Sequence, residues 1–404
     1  MKNKVKIGFS VSDYWPIGPP ELRKRAVQAL LANHTLIVGQ SRSGKTHAAR
    51  RLLEEVLAWT DTRVVILDPN ADFKWLSKVS DSALSDDSTG FADRWAKLGR
   101  SIAIAADEPD ATAWGIDWTN LTLHDMAAFL RLTPSETFAE YQHLKRHLNY
   151  FRAKEQKKKG STIEDFRKSK YLEMAAGEEL ERYSLLLERL EKLEVWARKG
   201  RKDLDSLFKR KYKATVVDLS KDNEQVRTIT AARVLEILWR RGEEERKEFL
   251  RDTTKPWGGT LVVIDEGHLF APPIPEDPQK RLVCERIQRF ADQGKKLNLY
   301  LMIITQQPGK LHRDVLSEFN NRIIMRVNER ASLALLEQTY VGGMQGRYDG
   351  ALTFDAGDAL VEGACLIDEI PTSPTPRAVH FKMGRTKEGG GSPKLHWAEP
   401  KRVL

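Results

Sequence analysis

The chain has 404 residues, of which 41% are hydrophobic and 30% are charged, and its formal net charge is +9. This composition excludes a disordered chain, and no apolar run approaches the ~18 residues of a membrane span, so we expect a cytoplasmic protein without a membrane partner. The net charge permits a polyanionic partner, although solvated lysines explain it equally well.

Residues 1–33 form a lead-in that ends in a helix predicted over Glu21–Asn33. A short buried strand is predicted over His34–Val38, and a helix over Ala48–Trp59. Between them lies a loop bounded by glycines, which is typical of a P-loop, whose N–H groups and following helix dipole bind phosphates. The predicted nucleotide-binding residues are Gly39, Gln40, Ser41, Arg42, Ser43, Gly44, Lys45, Thr46 and His47.

Two side chains of this loop carry specific predictions. Lys45 is expected to reach the β- and γ-phosphates as a catalytic residue, and Thr46 to hold Mg²⁺. The alternative is a plain Gly/Ser turn before an amphipathic helix. The strand before the loop and the helix after it favour the nucleotide site.

The next strand is predicted over Thr62–Asp68, a β-branched run typical of a strand buried on both faces of a parallel sheet. Ligands bind at the carboxyl ends of such strands, so Asp68 and Asp72 are candidates to face the nucleotide. A helix cap at Asp68 or Asn70 explains the same residues. The sequence leaves both interpretations open.

A further strand is predicted over Ser101–Ala105, within a first core segment that spans 34–120. Residues 121–213 are more charged and helical in pattern, with leucines at three- and four-residue spacing within Tyr171–Lys199, which predicts a helical insertion. Basic runs at 154–160, 198–202 and 209–213 are either solvated loops or phosphate contacts.

The core resumes over 214–384 with a strand at Ala214–Leu219 and a helix near Glu224–Glu245. The run Thr260–Glu266 has four apolar residues before an Asp-Glu pair, which is typical of a Walker B strand. We predict that Asp265 binds the Mg²⁺ shell and that Glu266 is the catalytic residue that polarises the attacking water. The alternative is a buried strand that ends in a surface acid pair.

After a helix near Lys280–Lys296, a buried strand begins at Leu299 and ends in Gln306, which we predict to bond the γ-phosphate or the water as a catalytic residue. The remaining predicted elements are a strand over Asn320–Val327, a hairpin at Gly357–Gly363, an edge strand over Pro376–Phe381 and an extended tail over 385–404. Together these elements predict an α/β fold with a central, mostly parallel sheet and a charged helical insertion.

The order of these motifs resembles the additional-strand, catalytic-glutamate division of P-loop ATPases, and within it the HerA-like ATPases of the HerA/FtsK group. The resemblance covers about 31–110 and 214–390 and implies a RecA-like P-loop NTPase core. The stretches that carry it are Gly39–Thr46, Asp68-Pro69 with Asp72-Phe73, Ile264–Pro272, Ile304–Pro308, Gly357–Gly363 and Gly384-Arg385-Thr386.

The resemblance implies an ATP- and Mg²⁺-dependent enzyme, a homo-oligomeric ring that is a hexamer, which moves double-stranded DNA through its pore as a translocase or helicase and works with a nuclease or other effector. In such a ring, the loop after Gln306 faces the pore, so Lys310 and Arg313 are candidate DNA contacts. A second hypothesis is an ATP-regulated ring scaffold of a phage-defence or conjugation complex that gates a partner enzyme.

The sequence departs from the family pattern in several places. The usual N-terminal β-barrel is absent or reduced to residues 1–30, and Ala71 and Asp72 replace the commoner Gly and Glu. Lys295 stands where an arginine often acts across the subunit interface, and lysine lacks the planar fork of arginine. We therefore expect Arg322 to be the catalytic arginine, with Arg326 and Arg289 as alternatives.

Overall fold

The computed structural model describes residues 27–81, 91–106, 111–156, 161–175, 177–197, 201–255, 257–339, 345–365, 376–381 and 384–389. The strands are β1 (Thr35–Val38), β2 (Arg63–Asp68), β3 (Ile102–Ala105), β4 (Trp114–Gly115), β5 (Lys202–Asp203), β6 (Ala214–Asp218), β7 (Thr260–Ile264), β8 (Leu299–Thr305), β9 (Asn321–Met325), β10 (Asp358–Glu362) and β11 (Arg377–His380). The helices are α1 (Lys45–Trp59), α2 (Phe91–Gly99), α3 (Leu123–Phe129), α4 (Phe138–Lys154), α5 (Ile163–Arg167), α6 (Lys170–Met174), α7 (Glu178–Glu191), α8 (Glu224–Arg251), α9 (Pro278–Gln293), α10 (Arg313–Ser317) and α11 (Arg330–Gln338). Short 3-10 segments lie at Trp118–Asn120, Leu204–Phe208, Gly267–Leu269, Gly294–Leu297, Pro308–Lys310 and Asp349–Thr353.

A nine-stranded sheet forms the centre of the molecule, in the order β11-β10-β9-β1-β8-β7-β2-β6-β3. The strands from β9 to β3 run parallel, and β10 pairs antiparallel with both β9 and β11. The predicted α/β fold with a mostly parallel sheet is therefore confirmed. Strand β8 lies between β1 and β7, so the strand directly before Gln306 separates the P-loop strand from the Walker B strand.

Both faces of this sheet are covered, which explains why its strands are apolar without alternation. In β1, the side chains of Leu36 and Val38 join the core on one face, and Ile37 joins the core on the other. Helix α1 packs on the second face, where Leu52, Leu53 and others of its apolar side chains are fully buried. All parallel strands therefore present their carboxyl ends at one edge, where the predicted motifs meet.

The helices of the insertion pack around aromatic side chains on the other face. The His147 ring stacks on Phe166 at a centroid distance of 3.9 Å, and the Tyr183 hydroxyl lies 2.9 Å from His147 Nδ1. The Asp125 carboxylate of α3 pairs with the Arg286 guanidinium of α9. This buried ion pair joins the insertion to the helix that follows the Walker B strand.

The predicted and observed element bounds differ most in the insertion. The helical pattern over Tyr171–Lys199 is divided into α6 and α7, because the chain is extended at Ala175 and Gly177 has a φ of +131°. Helix α7 ends at Glu191, whereas α8 continues to Arg251, beyond the predicted Glu245. The strand predictions agree with the structure to within a few residues, but Gly357–Gly363, predicted as a hairpin, contains the single strand β10.

Some predictions concern residues outside those that the structure describes. These are residues 1–26 of the lead-in, residues 390–404 of the tail, and residues 157–160 and 198–200 of the basic runs. The division into domains stays a prediction. Within the described part of the chain, no helix is both long enough and apolar enough to cross a bilayer.

Candidate nucleotide-binding site

The P-loop links β1 to α1 through a backbone that requires its glycines. Gly44 has a φ of +101°, which disfavours any side chain, and helix α1 begins at the next residue. A β-carbon on Gly39 would lie 2.5 Å from Ser43 Oγ. The loop is also held from outside, since the Gln40 N–H donates to the Arg326 carbonyl at 2.8 Å. The sequence thus forms a closed turn whose N–H groups precede a helix N-terminus.

Lys45 lies at the floor of this turn. Its side chain is 7% exposed, and its Nζ donates to the Gln40 carbonyl at 2.9 Å. Burial lowers the pKa of Lys45, while the neighbouring carboxylates, Glu266 first, oppose that change. The ammonium group therefore lies inside the loop, opposite a group of acids.

These acids come from the carboxyl ends of β2 and β7. Asp265 is buried, and its pKa is raised well above the usual range by burial, and further by the charges of Glu266, Asp68 and Asp72. The Thr46 hydroxyl donates to Asp72 Oδ2 at 3.2 Å, so one acid is tied directly to the P-loop. So much negative charge in a small volume favours a bound cation.

The structure separates the roles that the sequence left open for Asp68 and Asp72. The buried Asp68 carboxylate accepts hydrogen bonds from the N–H groups of Phe73 at 2.8 Å and Asp72 at 3.0 Å, as a capping residue does. Burial raises the pKa of Asp68 to about 7. Asp72 instead faces the cavity beside Thr46. The chain after Asp68 forms turns instead of the helix that a capping residue implies, so Asp68 holds its own loop, and the site interpretation applies to Asp72.

Glu266 has an unusual backbone, a φ of 47° in the left-handed region, directly after the buried Asp265. The Gln306 amide donates to Glu266 Oε1 at 2.5 Å, and His268 Nδ1 lies 3.4 Å from Glu266 Oε2. Within the described chain, Oε2 has no hydrogen-bond partner although it is buried. One carboxylate oxygen is therefore held by Gln306, and the other lies close to His268 without a hydrogen bond.

The predicted residues surround a cavity of about 610 Å³ at this edge of the sheet. Its predicted lining residues are Ser41, Arg42, Gly44, Lys45, Thr46, His47, Asp265, Glu266 and Gln306. Two further lining residues, Asn70 and Asp72, were raised by the sequence as a capping candidate and a ligand candidate. The remaining lining residues were not predicted as site residues, and they are Ala356, Gly357, His380, Phe381 and Glu388. The latter group comes from the β10–β11 hairpin and the chain after it, which carry no motif for phosphate binding. The predicted Gly39, Gln40 and Ser43 shape the loop from behind.

Arg322 does not lie at this cavity, which corrects the prediction that it is the catalytic arginine. Its side chain is fully buried, and its guanidinium donates to the carbonyls of Phe319 at 3.1 Å and Thr339 at 2.9 Å, among others. A guanidinium enclosed by its own subunit in this way cannot reach a neighbouring one. Arg289 lies over the Trp239 ring at 3.7 Å, also away from the cavity.

The donor groups fit a magnesium ion bound together with a nucleotide. Mg²⁺ in such sites takes one or two carboxylates or hydroxyls, and phosphate and water oxygens complete its shell. Thr46 Oγ1 and the crowded Asp265 carboxylate supply that set beside the P-loop. The described residues include no group of three His, Cys, Asp or Glu side chains that could hold a metal ion alone.

A family model described as the central domain of helicase HerA matches residues 26–238, more than half of the chain. The chain belongs to this HerA central-domain family. The predictions of a HerA-like P-loop NTPase and of an enzyme of the ATPase class are confirmed at the level of the family. The matched residues include the predicted insertion at 121–213, so the insertion is compatible with membership of this family.

Individual relatives are more distant. The chain is 28% identical over 204 residues to the DNA double-strand break repair helicase HerA of Pyrococcus furiosus, covering 44% of this chain and 34% of that relative. A relative of the same name from Sulfolobus acidocaldarius is 27% identical over 161 residues, covering 40% of this chain and 30% of the relative. The matched segments thus span about a third of the length of these relatives.

Solved structures with the same fold include VirB4 of Thermoanaerobacter pseudethanolicus, with a TM-score of 0.55 and 16% identity, covering 87% of this chain and 88% of that one. The plasmid coupling protein TrwB in complex with a non-hydrolysable GTP analogue has a TM-score of 0.56 and 13% identity, covering 91% of this chain and 88% of that one. At such identities the likeness concerns the fold alone.

Proposed function

We propose that the protein hydrolyses Mg-ATP to move double-stranded DNA, and that it works as a ring of identical subunits, a hexamer. The observation that carries the hydrolytic part is the Glu266–Gln306 pair, which faces the same cavity as the P-loop lysine. Small-molecule kinases share the P-loop but have no need of an acid beside the Walker B aspartate. The arrangement therefore favours transfer of a phosphoryl group to water.

The side chains divide the chemistry among them. The P-loop N–H groups and Lys45 bind the phosphates and neutralise charge that grows on them in the transition state. Glu266 Oε2 accepts a proton from the attacking water, and Gln306 orients both the carboxylate and the water. Thr46 and Asp265 would hold a magnesium ion, which would supply positive charge to balance the negative charge of the phosphates.

The ring part of the proposal follows from what the cavity lacks. Among the described residues, Arg42 supplies the cavity's arginine, and it belongs to the P-loop itself. A second positive charge on the far side of the γ-phosphate is then expected from a neighbouring subunit. Arg326 contacts Gln40 of its own P-loop in the amide orientation that satisfies both groups, so it is also an unsuitable donor in trans.

The DNA part is supported by the loop after Gln306. This loop forms the 3-10 segment Pro308–Lys310 and leads to α10, and it exposes the side chains of Lys310 and Arg313. A movement of Gln306 on nucleotide binding is transmitted directly to these cations because the connection is short. We propose that they contact the phosphates of duplex DNA, and that a nuclease or other effector binds the ring.

The test is ATP turnover with and without duplex DNA at two salt concentrations. We expect DNA to stimulate turnover of the unchanged chain, with an affinity that falls steeply as salt rises. The double variant Lys310→Ala/Arg313→Ala should lose stimulation but keep basal turnover, while Lys97→Ala, which removes an exposed cation of α2, should behave normally. An ATP turnover rate that is the same with and without DNA at low salt would refute the proposal that the protein moves DNA.

The oligomer and its effector need separate measurements. Native mass spectrometry with a non-hydrolysable ATP analogue should give a six-subunit species. Co-purification of the tagged chain from its own host should bring down a nuclease or other effector in a fixed ratio. A species that stays monomeric at all protein concentrations would contradict the ring.

A further inference from the structure

The segment 384–389, called here the C-terminal strap, is bound to the P-loop helix through a buried carboxylate. Glu54 of α1 is fully buried, and its Oε1 accepts hydrogen bonds from Arg385 N at 2.7 Å, Thr386 N at 2.8 Å and Thr386 Oγ1 at 3.0 Å. A buried carboxylate is costly unless its hydrogen bonds are made. Glu54 Oε1 is thus a buried hydrogen-bond acceptor for the backbone of the strap.

The other side of the strap pairs with the chain that follows β2. The Ser80 N–H donates to the Arg385 carbonyl, and the Lys387 N–H donates to the Lys78 carbonyl, each at 2.8 Å. The Gly389 N–H then donates to the Asp72 carbonyl at 3.2 Å. The strap therefore bridges α1 and the loop that carries Asp72.

The contact at Gly389 bears on a strained turn. Ala71 has a φ of 59°, an unfavourable conformation for a residue with a side chain. A β-carbon on Gly389 would lie 1.8 Å from the Ala71 carbonyl oxygen, so only glycine permits this approach. This strained turn leads directly into Asp72, whose carboxylate accepts a hydrogen bond from the Thr46 hydroxyl.

A strap side chain also enters the cavity wall. Glu388 Oε1 lies 3.3 Å from His47 Nε2, directly after Thr46 in the P-loop helix, and Glu388 lines the cavity. The other His47 nitrogen, Nδ1, lies 2.9 Å from Arg50, whose guanidinium also donates to the Thr386 carbonyl. The strap thus contacts both sides of the Thr46–Asp72 pair.

We propose that the C-terminal strap is a built part of the nucleotide site, in which Glu388 and Gly389 are positioning residues for His47 and Asp72, and that strap docking and magnesium-nucleotide binding favour each other. This inference rests on the nucleotide-binding part of the proposed function. Coupling between two binding events is reciprocal, so nucleotide must protect the strap as much as the strap favours nucleotide.

The first test uses the unchanged full-length chain and hydrogen exchange, with Mg-ADP as the probe. We expect saturating Mg-ADP to slow exchange of the Arg385, Thr386 and Gly389 amides at least fivefold. Exchange in the strap that is unaltered by bound Mg-ADP would overturn the proposal. This arm requires no variant, so a folding defect cannot obscure it.

The second test compares Gly389→Ala with Gly258→Ala, a matched glycine whose added β-carbon would meet only the Asp61 carbonyl at 3.7 Å. Affinities for Mg-ADP, and for ADP in EDTA, are measured by calorimetry. Gly389→Ala should weaken Mg-ADP binding at least fivefold and metal-free ADP binding much less, because the strap acts through Asp72 and Thr46. Gly258→Ala should match the unchanged chain.

Glu388→Gln, which keeps the size but removes the charge opposite His47, should give a smaller loss of the same kind. An equal loss with and without magnesium in Gly389→Ala would show a merely structural role and overturn the positioning role. These tests are independent of the proposed movement of DNA. An unchanged chain that binds Mg-ADP but whose turnover does not respond to DNA would refute DNA movement and would not contradict the role of the C-terminal strap.

Discussion

The cavity edge of the sheet and the helical insertion differ in how well their charges, backbone angles and buried polar atoms are satisfied by neighbouring groups. At the cavity, like charges crowd around Asp265, and Glu266 has a left-handed backbone. Glu266 Oε2 is a buried acceptor that makes no hydrogen bond within the described chain, although His268 Nδ1 lies 3.4 Å away. In the described part of the insertion, α3, α5 and α6 each begin with a side-chain cap, as at Thr162 and Asp165, and ion pairs such as Lys168–Glu164 lie on the helix surfaces. The insertion has single exceptions of this kind, such as the left-handed Arg131, whereas at the cavity three of them lie together, as is common where chemistry is done.

The largest expected effect is at the cavity. Glu266→Gln removes the proton acceptor but keeps the hydrogen bond to Gln306 possible, so hydrolysis should fall by roughly 10²–10⁴-fold while ATP binding and the free energy of unfolding are retained. Single-turnover assays and calorimetry check this. Glu276→Gln, an exposed acid a short way along the chain, is the matched control. Undiminished turnover in Glu266→Gln would show that another residue activates the water.

The second effect concerns the junction of the insertion with α9. Arg286→Met leaves the Asp125 carboxylate buried without its partner, which should lower the free energy of unfolding by about 3–5 kcal/mol. Denaturant titration of the full chain measures it. The double variant Asp125→Asn/Arg286→Met should recover part of the loss, because it removes the buried charge and keeps an acceptor for the Thr122 N–H. A single variant as stable as the unchanged chain would contradict the buried pair.

A smaller effect is expected at the capping box of α5. The Asp165 N–H donates to Thr162 Oγ1 at 3.0 Å, and the Thr162 N–H donates to Asp165 Oδ2 at 2.8 Å. Thr162→Ala should therefore cost about 1 kcal/mol of stability, and Thr162→Ser, which keeps the hydroxyl, only a few tenths. Comparable losses in the two variants would mean that the methyl group, not the cap, matters.

The smallest effect is a pH dependence within the insertion. Burial lowers the pKa of His147 to about 3, below the value near 6.5 of an unfolded chain. Protonation therefore favours unfolding, and the stability that His147 contributes is complete above about pH 6.5 and declines as pH falls toward 3. Between pH 7 and pH 6 the loss is about 0.7 kcal/mol. His147→Gln should flatten this slope in denaturant titrations, and an unaltered slope would contradict the assignment to His147.

The sequence predicts the motifs well because each is local. A strand, a loop and a helix define the P-loop, and a buried strand before Asp265 defines the second motif, so both are recognisable without tertiary information. Parallel strands share one edge, which brings Lys45, Glu266 and Gln306 together. The different roles of Asp68 and Asp72 depend on which carboxylate accepts hydrogen bonds from its own loop. That depends on the three-dimensional path of the loop, which a local pattern does not determine.

Other parts of the site could not be predicted because they depend on distant contacts. His380 and Glu388 line the cavity through an antiparallel hairpin and a strap that carry no phosphate-binding pattern. The sequence favours Arg322 as the catalytic arginine only because Lys295 stands where an arginine often acts, and this says nothing about the burial of Arg322. In the structure its guanidinium is surrounded by carbonyls at the ends of α11 and α10, which a sequence pattern does not reveal.

The position of β1 within the sheet has a consequence for synthesis of the protein. Thr35 pairs with Met302 on one side and with Asn321 on the other, so both neighbours of the P-loop strand are translated long after it. At roughly 5–20 residues per second, that strand waits on the order of tens of seconds with its edges unpaired. An early, aggregation-prone strand that must wait in this way makes the nascent chain a natural client for chaperones at the ribosome.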